Sequence, residues 1–114
     1  MAINKNTYNP VAIQSVKATV DITANRFISF AGGILGNELK SLGVAEVKAA
    51  SGDMFPVISL GTAIVETATG INVGDNITSD ANGKGKLAVA LAPVNGRALT
   101  STASAGFVTI QLVP

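Results

Sequence analysis

The 114-residue chain contains neither cysteine nor histidine. Their absence removes disulfides, thiolate chemistry and the Ser-His-Asp and Cys-His nucleophiles. A zinc site would have to consist of carboxylates alone, which is unusual. The seven acidic residues are spread along the chain and mostly flank turn residues, so no pair is placed for acid–base catalysis. We therefore expect a protein that is not an enzyme and that holds no cofactor and no metal ion.

Charged and aromatic residues are also scarce. Charged residues make up 13% of the chain, the net charge is +1, and the basic residues form no cluster. There are four phenylalanines, one tyrosine and no tryptophan, and none of them lies beside a run of lysines. Nucleic-acid binding needs a basic stripe, usually with aromatic platforms for single strands. We therefore expect no nucleic-acid partner.

Long apolar runs are missing as well. The longest, "LAVALAPV" from Leu87 to Val94, is far shorter than a membrane span. The first residues, "MAINKNTYNPVAIQ", are polar where a signal peptide needs a continuous apolar stretch of about seven or more residues. We expect no contact with a membrane, and synthesis in the cytoplasm without export.

What the chain does contain is 47% hydrophobic residues, enough for the core of one domain. With so few charges, the surface must consist largely of Ala, Thr, Ser, Asn and Gly. Such a surface loses little hydration when it is buried against another subunit, which favours self-association. The alternative from composition alone is a neutral globular domain that tolerates few charges.

The apolar pattern has a period of two, which predicts strands. In "SVKATVDIT" four apolar residues alternate with polar ones, and "VAEVKA" and "FVTIQLV" alternate in the same way. "MFPVISL" is apolar on both faces, so its Met54, Ile58 and Leu60 are predicted to contact a partner subunit, and "GTAIVETA" is a further strand. Turn signals recur roughly every 8 to 15 residues, which is typical of a sandwich or barrel. We predict an all-β fold, a small β-sandwich or partly open β-barrel.

One segment has helix signals. In "GNELKSLG" Asn37 can cap a helix, Glu38 suits its first turn and Gly43 can end it. This predicts at most one short helix of one or two turns.

Two segments resemble each other weakly. Aligning "GVAEVKAASGDMFPVISL" from Gly43 with "GRALTSTASAGFVTIQLV" from Gly96 gives four identities in eighteen positions. Each copy has a strand, a turn of small residues and a strongly apolar strand, which predicts a β-hairpin within each copy.

The segment "VGDNITSDANGKGKLAV" has the composition of a calcium loop, a phosphate-binding loop or a turn. An EF-hand loop starting at Asp80 would place Lys84 at its fifth position and Leu91 at its twelfth, where an oxygen ligand and a glutamate belong. A P-loop needs Ser or Thr after Gly-Lys, and here Gly85 follows. The looser GxGxxA pattern is common and has no strand-to-helix context here. The remaining prediction is a hairpin with a type I′ turn at Asn82-Gly83.

The N-terminus "MAINKNTYNP" follows neither periodicity, and Pro10 favours an extended Asn9. We predict an extended arm of residues 1–14 before a single β-domain of residues 15–114. Ten extended residues span about 33 Å, enough to reach a neighbouring subunit. The predicted contact residues of the arm are Ile3, Lys5, Tyr8 and Pro10, with the alternative that it is a frayed end.

From Gly43 onwards the chain resembles the small capsid decoration (cement) proteins of tailed bacteriophages. The resemblance lies in the order and spacing of four turn motifs over about two thirds of the chain. They are Gly52-Asp53; Val73-Gly74-Asp75; Thr78-Ser79-Asp80-Ala81 with Gly83; and Gly96-Arg97-Ala98-Leu99 with Ala105-Gly106. The first forty residues carry no such motif.

This resemblance implies a virion protein on the outer surface of an icosahedral head, made in the host cytoplasm, that clamps neighbouring major capsid protein subunits. It also implies a homo-oligomer. The two-faced apolar strand "MFPVISL", in a chain with so few charges, leads us to predict a trimer as first choice and a dimer second. Other candidates are a different phage structural module, such as a head fibre base or a tail-associated domain, and a carbohydrate-binding β-domain or carboxylate-based enzyme. Sugar binding usually needs exposed aromatic residues, and only Tyr8 lies clearly outside the strand pattern.

Overall fold

A computed structural model describes residues 9–113 as one antiparallel β-sheet that curls into a partly open barrel. Its strands are β1 (Pro10–Lys17), β2 (Phe27–Ile28), β3 (Gly43–Ala45), β4 (Met54–Glu66), β5 (Asn76–Ser79), β6 (Gly85–Leu87), β7 (Gly96–Ala98) and β8 (Phe107–Leu112). The strand order is β2-β3-β4-β8-β7-β5-β6, and β1 pairs with β4 outside this path. The predicted all-β fold is confirmed.

The segment with helix signals is a turn. Glu38 has a φ of 54°, which an α-helix does not accommodate. Its N–H donates to the carbonyl of Ser79, 2.8 Å away, so a distant strand end holds this backbone outside helical geometry.

No helix within residues 9–113 is long and apolar enough to cross a membrane.

The strand predicted in "SVKATVDIT" ends at Lys17. Beyond it, the backbone of Ala18 bonds to that of Asp53 and Gly52, and Ile22 forms only an isolated bridge with Ala49. Ala18 and Ile22 are buried as predicted, but Val20 is exposed, so the predicted strand alternation is wrong there. Backbone hydrogen bonds at Ala18 and Ile22 hold these two residues in the interior although no continuous strand connects them.

Strand β1 begins at Pro10 and therefore runs across position 14, where the predicted arm was to end. Gln14 pairs with Val57 and Pro10 with Gly61 on β4. Residues 10–14 thus lie within the sheet.

The two segments predicted as separate strands, "MFPVISL" and "GTAIVETA", form the single 13-residue strand β4. Its first half pairs with β1 and β3, and its second half, from Thr62 to Glu66, pairs with β8. Gly61 joins the halves with a φ of 95°. A Cβ at this position would also lie 2.5 Å from the carbonyl oxygen of Asn9. Glycine is therefore required for two reasons, the positive φ and the close approach of the Asn9 backbone.

The predicted hairpin in "SDANGKG" is present between β5 and β6, but its type I′ turn is wrong. Type I′ needs positive φ at both central residues, and of Asn82 and Gly83 only Gly83 has it. Asp80 explains the difference, because its Oδ1 accepts the N–H groups of Asn82 and Lys84 at 2.8 and 2.9 Å. This side chain stabilises a wider loop that ends in one left-handed glycine.

The pairing predicted for the two similar segments is confirmed, and the register is the same in both. Val44 pairs with Ile58 in the first copy. Arg97 pairs with Gln111 in the second, each 53 positions later.

This equivalence extends over nearly the whole described chain. The bridge Ile22–Ala49 recurs as Ile71–Thr102, 49 and 53 positions later. Residues of the first half up to Phe30 are equivalent to residues 49 positions later, and those from Gly32 onwards to residues 53 positions later. The number changes because the β5–β6 hairpin is longer than the equivalent turn after β2. We call residues 13–60 the first repeat and residues 62–113 the second, and residues related by these offsets counterparts.

Each repeat has its own interior. In the first repeat it consists of Ala18, Ile22, Ile28, Ala45, Phe55 and Val57. In the second it contains Ala63, Val65, Ile71, Ile77, Ala98, Val108 and Ile110. Phe27, Val44 and Ile58 lie on the opposite face of the first repeat's sheet and join the second repeat's cluster. The two repeats are therefore held together by an apolar contact.

Candidate binding surface

The predicted contact residues of the arm fall mostly outside the described chain. Ile3, Lys5 and Tyr8 precede residue 9, where the description begins. Pro10 is half-buried at the start of β1, opposite Gly61.

The three predicted contact residues of β4 lie in different environments. The side chains of Met54 and Leu60 are 63% and 43% exposed, but Ile58 is only 1% exposed. Ile58 faces the second repeat, so the burial predicted against a partner subunit is provided by the chain itself. Within a single chain, Met54 and Leu60 alone of the three reach the surface.

Strand β1 adds two more exposed apolar side chains, which lie near Leu60; Met54 pairs with Lys17 at the other end of β1. Val11 and Ile13 are both exposed, and β1 is hydrogen-bonded to the part of β4 that carries Met54 and Leu60. We call these four residues the β1–β4 strip. Contiguous exposed apolar groups mark contact surfaces for other proteins, and Val11, Ile13 and Leu60 lie at neighbouring positions of the paired strands. Sequence reasoning missed Val11 and Ile13 because it counted them in the arm, although their alternation with Ala12 and Gln14 was a strand signal.

The first described residue, Asn9, lies next to Val11 and Leu60 of this strip. The N–H of Asn9 donates to Oγ1 of Thr62, and the N–H of Thr62 donates to the carbonyl of Asn9 at 3.2 Å. These two bonds attach the chain to the middle of β4, one residue after Gly61.

A second exposed apolar region is the loop that follows β6. Leu87, Val89 and Leu91 are all exposed, and Leu91 is 99% exposed. This segment falls within the longest apolar run of the sequence, Leu87 to Val94. On the first repeat Phe30, at the tip of the turn after β2, is 69% exposed.

Three polar and three apolar residues line an open depression of about 480 Å³ on the second repeat. It is lined by Asn76, Arg97 and Gln111 together with Val94, Leu112 and Val113. Nε of Arg97 donates to Oδ1 of Asn76 at 3.2 Å. None of the described residues that line the depression carries a carboxylate.

Lys40 connects the repeats beside this depression. Its Nζ donates to the carbonyls of Val94, at 2.7 Å, and Val113. Partial burial removes water from the ammonium group and lowers the pKa of Lys40 below its usual value. Nearby, Oδ1 of the fully buried Asn95 accepts the N–H of Ser41 at 3.0 Å. These bonds lock the first repeat's 35–42 loop onto the second repeat.

The acidic residues of the former calcium-loop candidate serve as turn acceptors. Oδ2 of Asp75 accepts the N–H of Asn72 at 2.9 Å, and Asp80 closes the β5–β6 loop. Within residues 9–113 no three acidic side chains are grouped so that they could hold a metal ion.

We therefore predict that calcium binds no structural site at Asp75, Asp80 or Asn82. Millimolar calcium should leave the melting temperature unchanged, because the carboxylates already accept backbone hydrogen bonds. Differential scanning calorimetry with calcium and with a chelator tests this. A rise of several degrees with calcium, reversed by chelation, would contradict it.

Comparison with known proteins places this fold in a family. A family model described as "Phage cement protein" matches residues 8–112. Among solved structures the chain is similar to the N base of head fiber gp8.5 in bacteriophage phi29, with 21% sequence identity and a TM-score of 0.75. That match covers 90% of this chain and 93% of the other. Comparison with curated protein sequences gives no significant match.

The chain therefore belongs to the phage cement protein family. It is a bacteriophage structural protein and a component of the virion. The resemblance seen in the turn motifs of the sequence is confirmed.

Proposed function

We propose that this protein decorates the outer surface of a phage head and stabilises it by bridging major capsid protein subunits, without enzymatic activity. The observation that carries the proposal is the exposed β1–β4 strip, whose Val11, Ile13 and Leu60 lie near Asn9, the first described residue, in a chain of the cement family. The strip offers apolar side chains on a rigid sheet, and the arm adds reach to a second subunit.

Bridging stabilises the shell through the number of contacts rather than the strength of each. Burying one large apolar side chain contributes about 1.5–3 kcal/mol. Once a first contact is made, later contacts are intramolecular, so the combined affinity exceeds that of one site by orders of magnitude. Rupture of the shell by internal DNA pressure would then require many contacts to break together.

Self-association belongs to the same proposal, with a homotrimer as first choice and a homodimer second. An oligomer would carry several β1–β4 strips and several arms to neighbouring capsid subunits. The protein would be made in the host cytoplasm and added to the head from outside, and we propose no nucleic-acid or membrane partner.

Electron microscopy of undecorated heads mixed with the purified protein tests the proposal. Added density on the outer surface, at contacts between capsid subunits, is the expected result. Density absent at saturating protein, or density confined to a single capsid subunit, would contradict bridging.

We predict that removing residues 2–8 weakens capsid binding at least tenfold, or about 1.4 kcal/mol, and leaves the melting temperature nearly unchanged. Asn9 and Pro10 are retained because they are bonded to β4. Tyr8→Ala should reproduce part of the loss. Lys5→Ala is the control and should lose little at physiological salt, because an exposed charge contributes weakly.

Binding of labelled protein to heads, measured by co-sedimentation, gives the affinities. If the truncated protein binds heads as tightly as the full chain, the arm has no part in binding and the β1–β4 strip must act alone.

A second candidate function is the base of a head fibre. It is favoured by the fold similarity to a head fibre N base, which extends over nearly the whole of both chains. The same electron microscopy separates the two functions: a base would carry a projecting fibre, whereas a decoration protein would form low density distributed over the head.

A further inference from the structure

The interface between the two repeats is asymmetric. The N–H of Phe27 donates to the carbonyl of Gly83, and the N–H of Glu38 donates to the carbonyl of Ser79, both at 2.8 Å. Both donors belong to the first repeat: Phe27 lies in β2 and Glu38 in the 35–42 loop. The second repeat accepts at the tip of its β5–β6 hairpin.

Ion pairs cross the interface as well. Arg26 of the first repeat lies 3.0 Å from Glu66 of the second. Glu38 of the first repeat lies 3.0 Å from Lys86 of the second. Polar pairs thus surround the apolar contact formed by Phe27.

The counterparts of these residues do not meet within the chain. The counterpart of Glu38 is Leu91, and the counterpart of Ser79 is Phe30. A two-fold arrangement would bring these counterparts together, but Leu91 is 99% and Phe30 69% exposed. The repeats are therefore related head to tail, and such contacts leave one unused surface at each end.

The two unused surfaces complement each other. Leu91 on the second repeat and Phe30 on the first are both apolar. They occupy the positions equivalent to Glu38 and Ser79, which contact each other in the internal interface. The counterparts of Arg26 and Glu66 are Asp75 and Lys17, which are again of opposite charge but with the signs exchanged. Lys17 is exposed and Asp75 is partly exposed.

The centre of the unused surface differs from the internal one in polarity. Phe27, Val44 and Ile58 form one row across the first repeat's sheet, and Asn76, Arg97 and Gln111 form the counterpart row in the second. This polar row lines the open depression. A terminal repeat with a polar outer face stays soluble, and a polar contact surface suits reversible association more than permanent burial.

We propose that the second repeat of one molecule binds the first repeat of another, so that the internal interface is repeated between copies. Leu91 of one copy packs against Phe30 of the next, and Asp75 pairs with Lys17. The inference deepens the self-association proposed above by naming its surface. Such a contact closes into a ring when its rotation allows, and a trimer is one such ring.

Sedimentation equilibrium of the protein and two single variants tests the surface. Phe30→Asp and Leu91→Asp should each weaken association at least tenfold and leave the melting temperature unchanged, because both side chains are exposed. Val47→Asp is the matched control: Val47 is also exposed and takes part in none of the inter-repeat bonds described above. It should associate like the parent protein.

Mixing the two variants tests the head-to-tail geometry. The Phe30→Asp protein retains Leu91, and the Leu91→Asp protein retains Phe30. One intact contact can therefore form between them, and the mixture should give a 1:1 dimer that neither variant forms alone. In a two-fold interface both contacts form within the same dimer, so a mixed dimer would still contain one aspartate from each variant and mixing would not restore association.

Exchanging the charges tests the second contact. Lys17→Glu should weaken association, and the double variant Lys17→Glu/Asp75→Lys should recover it. Because Asp75 also accepts the N–H of Asn72, the melting temperature of the double variant is measured to confirm folding.

The outcomes separate the surface from the wider proposal. If the parent protein associates and both aspartate variants associate equally well, this surface is wrong and self-association stands. If the parent protein remains an 11.5 kDa monomer at hundreds of micromolar, both are wrong. If the variants associate normally but no longer bind heads, the surface contacts the capsid, which also overturns the inference.

Discussion

Replacing Gly43 by alanine should abolish stable folding or lower the free energy of unfolding by more than about 3 kcal/mol. A Cβ at Gly43 would overlap the carbonyl oxygen of Ile58 and lie 2.8 Å from its carbonyl carbon. Both atoms belong to the backbone of β4, which is held on its other side by β1. Relief would therefore require two strands to move apart, and urea unfolding measures the cost.

The second repeat provides a matched control, because the counterpart of Gly43 is Gly96. A Cβ there would lie 2.6 Å from Cδ1 of Ile110 and 3.2 Å from the carbonyl oxygen of Gln111. The nearest atom is the end of a flexible side chain, so Gly96→Ala should fold and lose about 1–3 kcal/mol. An equal or larger loss for Gly96→Ala would contradict the strand geometry described here.

Replacing Phe27 by alanine should lower the free energy of unfolding by about 3–5 kcal/mol. Its side chain is fully buried in the cluster that joins the two repeats. The substitution removes apolar contact from both repeats and leaves a cavity that the paired strands cannot close. Since small domains have a total stability of about 5–15 kcal/mol, the melting temperature should fall by tens of degrees or folding should fail.

Phe107→Ala is the control for this prediction. Phe107 is 56% exposed on β8, so the same chemical change should alter the free energy of unfolding by no more than about 0.5–1 kcal/mol. Urea unfolding of both variants gives the comparison. Similar losses for the two would mean that Phe27 does not join the repeats.

Strand β8 is an example of what the local sequence pattern predicts correctly. The alternation in "FVTIQLV" predicted a strand, and its alternate apolar residues Val108, Ile110 and Leu112 are all buried. The pairing within each similar segment was also predicted correctly, because alternation and turn signals lie within twenty residues of each other. The family resemblance followed from the same turn motifs.

The candidate surface was much less predictable. Ile58 and Met54 have the same apolar character, but Ile58 is buried under the second repeat while Met54 is exposed. Val11 and Ile13 reach the surface because β1 pairs with a strand more than forty positions away. Nothing in the spacing of these residues distinguishes a face covered by the chain's own second half from one left for a partner.

For the turns, too, one part was predictable from the sequence and another was not. The location of the β5–β6 hairpin was set by local composition, while its turn type depended on the side chain of Asp80. At Glu38 the helix signals were overridden by a hydrogen bond to Ser79, 41 positions later.

The sequence by itself determined the all-β class, the strands with regular alternation, the internal pairing of the two similar segments and the family. Only the tertiary structure decided that these segments belong to two repeats packed head to tail, and which apolar residues remain at the surface. The physical reason is that alternation and turn signals act over a few residues. Within a strand, they determine only which side chains share a face of the sheet. Which face is buried depends on the packing of segments about fifty positions apart, and local periodicity carries no information about that packing.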